Sequence, residues 1–196
     1  MEKYNRMYEL FKSGGGVLTT GELEEAGISY YFIKKLMRSN EIERIKQGVY
    51  RWLEGSNDEW AEVKKIVPQG VFCLFSAAAL HELSTFVSSE YHVAIPWKSK
   101  VTLPHYPPIQ LYFWKDNQYH IGQVDYKNDA LDLVLYDLEK TVCDFVKFRR
   151  KVGLDITKEV IRNYLNRKDR NLDKLMAYSR QLKISSVVKR YIEVLV

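Results

Sequence analysis

Cysteine is scarce: Cys73 and Cys143 are the only two in 196 residues, each within an apolar stretch. That excludes a disulfide scaffold and a cysteine-based metal framework, and it fits the reducing cytoplasm. Five prolines and ten glycines leave no room for a long disordered or collagen-like tract. Long apolar runs are missing too. The longest nearly apolar stretch, Val71 to Leu80 with Ser76 inside it, spans about half a bilayer, so no transmembrane helix and no membrane partner are expected. The opening Met-Glu-Lys-Tyr-Asn-Arg has no apolar segment of the kind a secretory signal needs.

Chemical motifs are equally sparse. His81, His92, His105 and His120 are scattered without ligand spacing, and His81-Glu82 is followed by Ser84 and Thr85 rather than a second histidine. Ser76 lacks the glycines of a nucleophile elbow. Gly14 to Gly16 is not followed by Gly-Lys-Ser/Thr, so it is no phosphate loop. No catalytic residue, metal ligand or cofactor is therefore expected, and the chain reads as a non-enzyme.

What is present is an ordinary globular composition, 46% hydrophobic and 28% charged, enough for one large domain or two small ones. Its net charge of +5 hides a pattern. Residues 29–52 carry six basic and two acidic groups, residues 53–144 seven and thirteen, and residues 145–196 fourteen and five. Two basic blocks flank an acidic middle, which suggests an anionic partner for at least one of them.

Along the chain, apolar groups at Tyr4, Met7, Tyr8, Leu10 and Phe11 have helical spacing, and Gly14 to Gly16 ends that helix. Thr19 and Glu22 match a capping box opening a short second helix. Gly27 is a left-handed stop, and Ser29 can cap a third helix, Tyr30 to about Arg38. Glu41 to Trp52 then reads as a β-hairpin with a three-residue loop, Lys46-Gln47-Gly48, and with either a bulge or a short first strand, since Ile42 and Ile45 are three apart.

Glu54 to Asp58 is a turn-rich linker, dividing residues 1–53 from 60–196. Beyond it a helix is expected over Trp60 to Val67, a buried strand over Val71 to Phe75, and a helix over Ser76 to Leu83. Strands follow over Tyr91–Ile95, Ile109–Trp114, Tyr119–Tyr126 and Ala130–Tyr136. Helices are expected at about 138–151, 155–166, 171–182 and 184–195. The fold class is thus α+β: an N-terminal winged helix-turn-helix, then a mixed α/β domain with a helical C-terminal part.

A winged helix buries one face of its third helix and turns the other to a major groove. Ile33, Leu36 and Met37 share the inward face; Tyr31, Lys34, Lys35 and Arg38 lie opposite. Lysine and arginine there can neutralise phosphates or donate to guanine, and Tyr31 can meet a phosphate or a thymine methyl. Arg44, Lys46, Gln47 and Arg51 are long donors on the hairpin, and Ser29 opens the helix. These nine residues form the expected interface with double-stranded DNA. A second, partner-facing surface is expected at Arg149, Arg150, Lys151, Arg167, Lys168 and Arg170, near the ends of successive helices. Cations also complement helix carbonyl ends, but seven in two clusters, counting Lys147, exceed that need. Asp144, flanked by Val142, Cys143 and Phe145, needs a partner; it is expected to tie its helix to the basic C-terminal bundle.

Gly15-Gly16-Val17-Leu18-Thr19-Thr20-Gly21-Glu22-Leu23, Ala26-Gly27-Ile28-Ser29, Leu36-Met37-Arg38, Glu43-Arg44-Ile45 and Gln47-Gly48-Val49-Tyr50-Arg51 resemble the N-terminal winged helix of AbiEi-type antitoxins. Asn40 stands where many of that family carry glycine; asparagine tolerates the left-handed turn. Phe75 to Leu83, Val93-Ala94-Ile95-Pro96 and Leu138 to Asp144 extend the likeness. The resemblance implies a repressor that autoregulates its operon on an operator of inverted repeats. It also implies a C-terminal antitoxin domain opposing a nucleotidyltransferase-like toxin in a type IV, abortive-infection system used in phage defence. The rival reading is a metal-dependent enzyme acting on nucleic acid, with the winged helix as its docking module. It would need converging carboxylates, and Asp125, Asp129 and Asp132 are the only dense candidates.

Overall fold

The computed structural model describes residues 2–55, 57–128 and 132–195. Helices alternate with two sheets, a mixed α+β architecture. The chain divides into two compact units. The first runs to Gln69 and takes in residues 100–109 and Asp132; the second holds Gly70–Ser99, Gln110–Asn128 and the chain from Leu133 onward. Among the described residues no helix is long and apolar enough to cross a membrane.

The first unit begins with α1 (Glu2–Ser13), β1 (Val17–Thr19), α2 (Thr20–Glu25) and α3 (Tyr30–Arg38). It continues with β2 (Ile42–Lys46), β3 (Val49–Trp52) and α4 (Glu59–Ile66). Glycine stops α1 because the chain turns sharply there: Gly15 has φ +73°, and a Cβ on it would stand 2.7 Å from that of Ala61. The strands form an antiparallel sheet in the order β1-β3-β2, with Leu18 opposite Tyr50 and Glu43 opposite Arg51. Met7 and Phe11 of α1 join Leu18, Leu23, Ile28, Ile33, Leu36, Ile42, Tyr50 and Trp52 in one core. Tyr4 and Tyr8 meet the Trp52 ring edge-on, at 5.4 and 5.8 Å between centroids.

The hairpin differs from the sequence reading in one detail. Its turn is Gln47-Gly48, because the register shifts between Arg44 and Lys46 and Lys46 still pairs with Val49. The bulge absorbs the residue that a three-residue loop would hold. Gly48 has φ +78°, and Asn40, in the turn after α3, has φ +55°.

The second unit holds β4 (Val71–Phe72), α5 (Leu74–Leu80), β5 (Tyr91–Pro96), β6 (Ile109–Trp114), α6 (Asp116–Tyr119), β7 (Gln123–Lys127) and β8 (Asp132–Tyr136). It ends in α7 (Leu138–Val152), α8 (Leu154–Leu165), α9 (Leu172–Gln181) and α10 (Ser185–Leu195). Its sheet runs β6-β5-β4-β8-β7, with β4 antiparallel to β5 and parallel to β8. Two expectations are corrected. The strand expected over Val71–Phe75 is two residues long, because the backbone turns into α5 at Leu74, and α5 ends at Leu80, where Glu82 takes φ +56° and Leu83 N–H closes on Ala78. The strand expected over Tyr119–Tyr126 splits into α6 and β7 around Gly122, φ +74°. Ala130 and Leu131, at the start of another expected strand, lie outside the described residues.

Asp144 is fully buried, but its partner is Lys140, one turn back on α7, at 2.7 Å. Lysine at i−4 satisfies the carboxylate locally, so the expected tie to the C-terminal bundle is not made by Asp144. Asp137 and Glu139 make it instead. Lys174 of α9 reaches both, at 2.9 and 3.3 Å, and Tyr178 and Asn171 donate to one each. Lys140 lies between aromatic faces, 4.2 Å from the Trp114 centroid and 4.0 Å from that of Tyr136.

Candidate nucleic-acid interface

Local hydrogen bonds set the placement of α3. Thr19 Oγ1 accepts from Glu22 N–H at 3.2 Å, and the Glu22 carboxylate accepts from Thr19 N–H at 2.6 Å, closing the capping box of α2. Lys65 of α4 donates to the same carboxylate at 2.8 Å. Burial raises the Glu22 carboxyl, but the hydrogen bonds from Lys65 and Thr19 together outweigh it and hold the group below its ordinary range. Gly27 turns the chain with φ +75°, and Ser29 Oγ accepts from Phe32 N–H at 3.4 Å to open α3. Ser39 closes it, donating to the carbonyls of Lys35 and Leu36.

Ile33 and Leu36 are buried, which turns the other side of α3 to solvent. Tyr31 is 78% exposed, and Lys34, Lys35 and Arg38 are exposed. The helix carries no acidic residue, and none of its three cations forms an ion pair among the described residues. Lys34 Nζ lies 4.7 Å above the Tyr30 ring, which holds it on the helix flank. Tyr31, Lys35 and Arg38 follow at i, i+4 and i+7 along one stripe. Tyr30 is not among the residues expected at the interface; its i, i+4 spacing to Lys34 was the available signal.

The hairpin residues divide. Arg44 and Gln47 are exposed. Lys46 Nζ donates to the Ile66 carbonyl at 2.9 Å. Arg51 is 2.9 Å from the Glu62 carboxylate, 3.5 Å from that of Glu43, and stacks on the Tyr106 ring at 5.6 Å. Tyr106 in turn donates to Glu59. Burial pushes the Glu62 carboxyl up to about 7, and the Arg51 guanidinium offsets only part of that. Nothing in the sequence pattern singled out Glu62, because its role depends on α4 packing over the hairpin.

In the second basic block, Arg149 donates to its own helix at Val146, while Arg150 and Lys151 are exposed at the end of α7. Arg167 forks onto Asp169 at 2.8 and 2.9 Å and also donates to the His81 carbonyl. Arg170 donates to the Arg167 carbonyl, and Lys168 is exposed. His81 and His92 are structural: the first meets the Tyr136 carbonyl, the second Ser88 and Tyr112. Among the described residues no three His, Cys, Asp or Glu side chains form a metal-holding group. Asp125 lies on β7, Asp132 pairs with Lys64 at 3.0 Å, and Asp129 lies outside the described residues.

No curated protein matches the chain. Among solved structures, that of the RV2827C protein from Mycobacterium tuberculosis aligns over 96% of this chain and 78% of that one, at 13% identity and a TM-score of 0.49. The N-terminal resemblance is borne out: residues 5–51 match the family described as transcriptional regulator, AbiEi antitoxin.

Proposed function

We propose that the chain is a sequence-specific DNA-binding repressor acting as the antitoxin of a type IV toxin–antitoxin operon. Residues 1–53 serve as a winged helix-turn-helix, with α2 and α3 as its helix pair and β2–β3 as its wing. Residues 60–196 carry the antitoxin function against a nucleotidyltransferase-like toxin. The observation that carries the reading is the solvent face of α3: Tyr31, Lys34, Lys35 and Arg38, exposed, without an acid on the helix and without an ion-pair partner among the described residues. A helix face of that kind suits phosphates and base edges in a major groove. The family match over residues 5–51 supports the same assignment. Within the wing the reading rests on Arg44 and Gln47, since Lys46 and Arg51 are engaged by α4 and its neighbours.

The test is binding of the full chain to the duplex directly upstream of its own gene, by fluorescence anisotropy, against a scrambled duplex. The expected result is preference for the upstream sequence, lost in a Lys34→Ala, Lys35→Ala, Arg38→Ala triple variant. Equal affinity for both duplexes would overturn sequence-specific repression.

A further inference from the structure

Trp97, in the second unit, stands in water. It follows β5 directly and is 60% exposed, whereas Trp52 and Trp114 are buried. Its backbone N–H donates to the Trp114 carbonyl at 2.8 Å, which fixes the backbone of Trp97 beside the end of β6 and Lys115. A cleft of about 520 Å³ opens there, lined by Pro96, Trp97, Lys98, Lys115, Asp116 and Asn117. The last five are all exposed. Lys98 and Lys115 form no ion pair among the described residues, although they belong to the acidic middle of the chain. Residues 96–100 contain two lysines and no acid.

An exposed indole flanked by free ammonium groups fits one ligand chemistry well. Aromatic faces stack on nucleobases regardless of sequence, and lysines beside them hold the phosphate backbone. We infer that this cleft binds a nucleotide, its base stacked on Trp97 and its phosphate held by Lys98 and Lys115. The Asp116 carboxylate would repel that phosphate, which assigns it to the base end. There it and the Asn117 amide oxygen can accept from the exocyclic amine of adenine, cytosine or guanine. Thymine and uracil offer these acceptors a single ring N–H in place of an amine, so adenine is preferred over thymine. Both a free nucleotide and an unpaired nucleotide within a strand carry this chemistry.

The experiment uses the full chain with Lys34, Lys35 and Arg38 already changed to alanine, so that α3 contributes no binding. Labelled (dA)10 and (dT)10 are titrated by anisotropy, and AMP by tryptophan fluorescence and by competition. The expected result is quenching on binding, and about five- to hundred-fold weaker (dA)10 binding for Trp97→Ala. Lys98→Gln with Lys115→Gln lowers the salt slope by about 0.7 for each phosphate that these lysines neutralise. Binding of AMP and its displacement of (dA)10 identify a free nucleotide as the ligand; binding of (dA)10 alone identifies a single strand. Equal affinity for (dT)10 and (dA)10 overturns the assignment of Asp116 and Asn117. If neither (dA)10 nor AMP binds in a manner that depends on Trp97, the site itself is overturned. Circular dichroism of the Trp97→Ala chain, an exposed position, separates loss of binding from loss of fold.

Discussion

Arg51 reaches Glu62 at 2.9 Å and Glu43 at 3.5 Å, so a residue with the chemistry of a DNA contact serves the protein's own interior. The pairing has a pH consequence. The Glu62 carboxyl, ordinarily 4.5, is raised to about 7 in the fold, mainly by burial. Between those values the folded chain keeps a proton that the unfolded chain has released, so stability falls as pH rises through that window. Urea midpoints measured at pH 5 and pH 7.5 read this contribution, and Glu62→Gln removes it; an identical pH dependence in that variant would exclude Glu62 as the source. Lys140 and Asp144 set a second test. Both are fully buried, and burial pushes the Asp144 carboxyl up to about 6 against the pull of Lys140. Asp144→Ala leaves the Lys140 ammonium without its counter-ion and costs about 3–5 kcal/mol, whereas exchanging both for apolar residues of similar volume costs far less. Urea titration of the single and double variants distinguishes these outcomes.

At the scale of elements, legibility followed punctuation. Gly14 to Gly16, the Thr19/Glu22 box, Gly27 and Ser29 mark the ends of α1, α2 and α3 through local hydrogen bonds, which sequence spacing encodes directly. The helical period from Leu138 onward placed α7 to α10 closely for the same reason. Val71 to Leu80 has no period to separate strand from helix, and its division at Leu74 depends on tertiary pairing, where Cys73 N–H meets the His92 carbonyl. The hairpin cations show the same limit: Lys46 and Arg51 look free in the sequence, and their bonds to the Ile66 carbonyl and the Glu62 carboxylate depend on the packing of α4. Three expectations follow. Thr19→Ala should cost about 1 kcal/mol of stability through the missing cap, read from urea midpoints. Lys35→Ala or Arg38→Ala should cost about 1–3 kcal/mol in operator affinity and relax base preference where the side chain reads a base. Lys46→Ala should lower stability rather than DNA affinity, because it removes a bond to the Ile66 carbonyl; anisotropy with operator and scrambled duplexes separates the two effects.

Over the whole molecule, the two compact units have separate cores, and basic groups concentrate in residues 29–52 and 145–196. The proposed division of labour predicts separable losses. Changing Lys34, Lys35 and Arg38 to alanine should abolish repression and spare toxin neutralisation. Changing Arg149, Arg150 and Lys151 to glutamate should do the reverse. Co-expression with the proposed nucleotidyltransferase-like toxin, alongside binding to the duplex upstream of the gene, checks both; loss of both activities in each folded variant would refute the division. The central claim, that the α3 cations meet DNA, is tested most directly by salt. The measurement is the affinity of the full chain for the duplex upstream of its gene, taken across a salt series, for the wild type and the α3 triple alanine variant. The predicted wild-type affinity falls steeply with salt, and the variant's slope is shallower by about 0.9 for each α3 cation that meets a phosphate. A flat wild-type response, or a variant with unchanged slope and affinity, would contradict it.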